Sequence, residues 1–137
     1  MKVHTTNYKN TFIEIAEDSP VSKGEIPPVK RNRTLANIQY EMISAHPYQY
    51  SSDEVMLRCY MQKNDIPESE MMNTKKEFFS KGQACFRSSA LTKRYGFGVH
   101  YNEEGKIAIY PAESQEYENF VKDETTNKVR AMRNKRG

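Results

Sequence analysis

Tryptophan is missing from this chain, and only two cysteines and three histidines occur among its 137 residues. Cys59 and Cys85 stand far apart without a CxxC spacing, so no disulfide framework is implied and free thiols in a reducing cytoplasm are expected. His4, His46 and His100 form no HxxxH pair and have no ligand spacing to either cysteine, so neither a metal site nor a cofactor is expected. No apolar run approaches the roughly 18 residues of a membrane span, and the opening MKVHTTNYKN lacks the apolar core of a signal peptide. The expectation is a cytoplasmic protein with no membrane partner. GxSxG and GxxxxGK[ST] are absent too, and Gly96-Phe-Gly98 is too short for a dinucleotide fingerprint.

The absence with the most to say is that of acids. Residues 78–102, FFSKGQACFRSSALTKRYGFGVHYN, contain no Asp or Glu but carry Lys81, Arg87, Lys93 and Arg94. A second acid-free run, Thr125–Gly137, holds Lys128, Arg130, Arg133, Lys135 and Arg136. The formal charge is +3, from 21 basic and 18 acidic residues; without the five cations of the tail, 16 basic residues face 18 acidic ones. The body is slightly acidic, so any affinity for anions is local and not a property of the whole surface.

What is present suits a packed fold. Nine Tyr, six Phe and seven Met supply large side chains, in a chain long enough to bury a core without covalent staples. Thr11-Phe-Ile-Glu-Ile-Ala16 reads as a strand. A connection follows, broken by Pro20, Gly24, Pro27 and Pro28 and ending in Lys30, Arg31 and Arg33. Thr34 is placed to cap a helix running to Ala45, and Ser51 or Ser52 to cap a second, with Asp53 and Glu54 where the macrodipole favours anions. A third helix is expected from Pro67 to Lys81, with Gly82 as its left-handed stop. Further on, a short strand is expected near Cys85–Arg87, a helix from Pro111 to Val121, and a helical turn in the tail around Val129 and Met132.

The segment 94–110 is the most explicit. A three-residue loop, Glu103, Glu104 and Gly105, with Gly105 left-handed, pairs Asn102 with Lys106, Tyr101 with Ile107 and Val99 with Ile109. That register collects Tyr95, Phe97, Val99, Tyr101, Ile107 and Ile109 on one face, whereas a four-residue loop scatters them. The opposite face becomes a floor of Gly96, Gly98 and Ala108, rimmed by Arg94, His100, Lys106 and Tyr110.

Two readings of that floor compete. It would let a phosphate or flat ligand approach backbone N–H groups, with Lys93, Arg94 and His100 as charge partners and Ser88 and Ser89 as hydroxyl donors. Alternatively, its glycines let a helix pack close to the sheet. Nucleic-acid stacking on Tyr95 and Phe97 is disfavoured because the register buries both, while the tail suits sequence-independent phosphate contact. His100 as a general acid/base with Arg94 beside an anionic intermediate is the enzymatic alternative, and a structural or interaction protein is the third. Glu103-Glu104 and the Glu68/Glu70 pair read as solvated carboxylates, and Cys85 as a core thiol.

Several stretches occur together: His4-Thr-Thr-Asn-Tyr8, Asn10-Thr-Phe-Ile13, Ala16-Glu-Asp18, Glu25-Ile-Pro-Pro28, Ala36-Asn-Ile-Gln39, Leu91-Thr-Lys-Arg-Tyr-Gly96, Asn102-Glu-Glu-Gly-Lys106 and Ala131-Met-Arg133. In this combination the chain resembles a family of small uncharacterised bacterial proteins known as a domain of unknown function. The resemblance implies a bacterial cytoplasmic protein and no particular activity. It also draws attention to His4 and Asn7, which would join Lys93, Arg94 and His100 if the first strand lies near the hairpin.

The sequence thus predicts one α+β domain over residues 1–124, a small, mainly antiparallel sheet with helices packed on one side, and a basic tail over 125–137. The expected function is non-catalytic binding of an anionic, phosphate-bearing ligand, either a nucleotide or a nucleic acid, by a monomer or weak dimer.

Overall fold

A computed structural model describes residues 3–135. The fold is α+β. Four strands, β1 (Thr11–Glu14), β2 (Phe97–Tyr101), β3 (Ile107–Pro111) and β4 (Asn127–Arg130), form one sheet in the order β3-β2-β1-β4. Neighbours are antiparallel except β1 and β4, which run parallel. The hairpin has the expected register, with Tyr101 opposite Ile107, Val99 opposite Ile109, and Gly105 at φ 79°. Matching the buried face was sufficient to select it.

The helices are α1 (Leu35–Ala45), α2 (Ser52–Lys63), α3 (Met71–Phe78), α4 (Ala90–Lys93) and α5 (Gln115–Lys122). Thr34 and Ser51 cap α1 and α2 through reciprocal boxes with Asn37 and Glu54, satisfying N–H groups the helices leave unpaired. The main core joins Ile13, Val99, Tyr101 and Ile107 of the sheet to Ile38 and Ile43 of α1, Val55 and Cys59 of α2, and Leu91 of α4. A satellite cluster of Leu57, Met61 and Phe79 seats α3 against α2.

Four local expectations are corrected. The third helix ends at Phe78, not at Gly82: the Ser80 hydroxyl and the Gln83 amide cap the carbonyls of Glu77 and Phe78, so no left-handed glycine is needed. Phe86–Ser88 is a 3-10 turn rather than part of a strand, held by the Thr92 hydroxyl donating to the Phe86 carbonyl at 2.6 Å. The helical turn expected in the tail is β4, because the Ile13 strand offers it a free edge to pair with. Finally, α5 does not share the side of the other helices. It covers the opposite face of the sheet, where Phe12 meets Tyr117 edge-on at 4.9 Å and stacks on Phe120 at 5.1 Å.

Candidate anion-binding surface

The glycine floor is closed. Gly98 lies under α5, and a Cβ there would stand 2.5 Å from Phe12 Cζ and 2.7 Å from Tyr117 Cε2. Gly96 precedes β2 at φ 77°, in contact with the Lys23 carbonyl, so it supports a backbone crossing and not a ligand. The close-packing role of the glycines is the one the structure shows.

His100 belongs to that closed face. Its ring stacks on Phe120 with centroids 4.0 Å apart, and Tyr48 Oη lies 2.8 Å from both His100 Nδ1 and Tyr110 Oη. Burial lowers the imidazole's proton affinity, with Asp123 partly opposing. The Tyr48 hydroxyl is pushed in the other direction, well above its ordinary value, by burial and then by its bond to Tyr110. Tyr48 was not identified from sequence. It sits in the bend after Pro47 at φ 60°, a conformation that no local pattern announces for a tyrosine.

His4 and Asn7 are engaged elsewhere. The Thr5 and Thr6 hydroxyls donate to the Asp53 carboxylate at 2.6 and 2.7 Å, Asn7 Oδ1 accepts the Asp53 N–H at 2.9 Å, and the His4 N–H donates to the Phe79 carbonyl. The His4–Asn7 segment therefore clamps the start of α2 and the end of α3, away from the partners proposed for it.

The remaining cations come together in a way the sequence leaves unsaid: the two acid-free runs lie side by side. The Arg87 carbonyl accepts the Met132 N–H at 2.8 Å, and Arg87 Nε donates to the Arg130 carbonyl at 2.8 Å. The Ser88 hydroxyl reaches the Met132 sulfur at 3.0 Å, and Asn134 Nδ2 donates to the Lys93 carbonyl at 2.8 Å. Asp18 fixes the far end, accepting the N–H groups of Asn134 and Lys135 at 2.9 Å. Those bonds, Asn134 first, hold its carboxyl at about 2, below the ordinary range.

The result is a seam carrying Arg87, Lys93, Arg94, Arg130, Arg133 and Lys135. Arg94, Arg130, Arg133 and Lys135 are exposed. Arg130 pairs with Glu14 at 3.5 Å, and Asp18 is occupied by backbone donors. Of the two candidate hydroxyls, Ser88 lies on the seam, whereas Ser89 is buried as the cap of α4. Asp18 and Asn134 had no sequence signal as partners, being 116 positions apart.

The chain belongs to a family of unknown function, DUF6157, whose model matches residues 3–137. No curated protein and no solved structure matches it. Among the described residues no helix is long and apolar enough to cross a membrane.

Proposed function

We propose that this protein is a non-catalytic binding module for a phosphate-bearing polyanion, engaged along the seam between residues 87–94 and 130–135. The observation that carries the reading is the convergence of the two acid-free runs, sealed by the Asn134–Lys93 and Asn134–Asp18 contacts. Six cations on one strip, set against Asp18 and Glu14, leave a local positive excess on a body that is otherwise slightly acidic. Four of the six cations, Arg94, Arg130, Arg133 and Lys135, are exposed, and their spread over two chain segments suits a nucleic-acid backbone better than a single nucleotide. His100 as a general acid/base finds less support, because Phe120 covers its ring and Tyr48 occupies Nδ1.

Fluorescence anisotropy with a labelled single-stranded oligonucleotide tests the proposal. The protein is expected to bind, with affinity falling as salt rises, by a slope of about −0.7 per neutralised phosphate on a single strand. The K93E/R94E/R133E triple variant is expected to lose that binding while keeping its circular dichroism spectrum. Competition by ATP at equal phosphate concentration would move the reading towards nucleotides. Binding that is absent, or unchanged in the triple variant, would overturn it.

A further inference from the structure

Between α1, α2 and the chain from Phe78 to Ala90 lies a cavity of about 460 Å³. This falls among the roughly 300–1,000 Å³ of small-molecule sites and far above an ordinary packing void. Leu35 and Tyr60, 49% and 41% exposed, mark where it reaches the surface. Its walls are largely apolar, with Ala36, Met56 and Phe78 among them. Lys63 is the one charged lining residue; it is exposed, and its ammonium donates to the Arg33 carbonyl at 3.0 Å.

One polar group in the wall is poorly matched. Gln39 is 5% exposed, and its Oε1 lies 2.6 Å from Ser89 Oγ. That hydroxyl donates to the amide oxygen and accepts the Leu91 N–H at 3.1 Å. Gln39 Nε2 then meets only the Met56 thioether, at 3.7 Å. Sulfur is a weak acceptor, so this buried amide donor is incompletely satisfied. A ligand oxygen placed in this cavity would satisfy it.

We propose that the cavity is a binding site for a small uncharged molecule with an apolar body and one carbonyl oxygen, which accepts from Gln39 Nε2. The wall has no carboxylate, and its single cation, Lys63, is exposed, so the buried part of the wall offers no charge to pair with a charged ligand. The cavity shares residues 88–90 with the cationic seam but none of its cations, and the proposal does not depend on the function proposed for the seam.

Acetophenone and ethylbenzene, nearly isosteric and differing in the carbonyl, provide the test, read by NMR titration of the side-chain amide of Gln39 and the methyl of Met56. Acetophenone is expected to bind saturably at both groups and about five-fold more tightly than ethylbenzene, the worth of one hydrogen bond. Gln39→Met is expected to erase that difference, and Ala36→Phe, which fills the cavity, to weaken both probes together. K93E/R94E/R133E is expected to leave acetophenone binding unchanged. The absence of a saturable shift at Gln39 with the unmodified protein overturns the proposal, as does equal affinity for the two probes or tighter binding of benzoate than of acetophenone.

Discussion

The acid-free run divides at Tyr95 into halves with opposite fates. The later half, Gly96 to Tyr101, is enclosed on both faces: Val99 and Tyr101 turn to the main core, while Gly98 and His100 lie under the aromatic residues of α5. The earlier half, through Arg87, Lys93 and Arg94, reaches the surface and is joined there by the tail. The absence of acid therefore spans two different environments in one stretch. In the strand, an ionised carboxylate would have to be desolvated beside aromatic rings. In the seam, an acid would neutralise the cations that the tail brings alongside.

Substitution at Gly98 is expected to show the contrast most strongly. Gly98→Val drives its side chain into Phe12 and Tyr117 and is expected to cost about 2–3 kcal/mol in chemical denaturation. Arg94→Ala, a few residues earlier but exposed, should stay within about 0.5 kcal/mol. Comparable losses at the two positions would mean that the two halves are not differently packed.

A weaker effect sharpens the same division through pH. Burial lowers the proton affinity of His100 in the fold, so the unfolded chain takes up a proton first as pH falls. Stability is expected to decline from the ordinary imidazole value, about 6.5, down through the lower folded value, and to level off beneath it. His100→Phe should flatten that part of the profile, measured as denaturation midpoint against pH. An unchanged slope would place His100 in solvent and reopen the glycine face.

The smallest effect concerns the seam. The Asp18 carboxylate titrates at about 2, below its ordinary value, so the tie to the tail persists at neutral and mildly acidic pH and is lost as pH falls through about 2. Asp18→Asn should raise hydrogen exchange at the Asn134 and Lys135 amides at neutral pH with little change in global stability. Exchange that does not rise would mean that Asp18 does not hold the two runs together.

Some features were legible because their causes are local. The caps at Thr34 and Ser51 follow from side chains that reach N–H groups three residues on, and the hairpin register from a glycine turn and one apolar face. Others had no local cause. Gly82 has the composition of a helix stop, yet Ser80 and Gln83 cap the helix earlier. Val129 pairs with Ile13 only because β1 has an unfilled edge, a fact of the sheet and not of the tail's own pattern. The Gln39 amide meets Ser89, 50 positions away, through its oxygen and only the Met56 thioether through its nitrogen.

By itself the sequence determined the α+β class, the starts of α1 and α2, the hairpin and the location of the cations, since short-range sterics, capping and alternation suffice for those. Tertiary structure alone decided which face of the sheet α5 covers, which half of the acid-free run is buried, and which residues meet across the seam. Those outcomes depend on contacts between distant segments, where packing and desolvation select among arrangements that local propensity leaves equivalent.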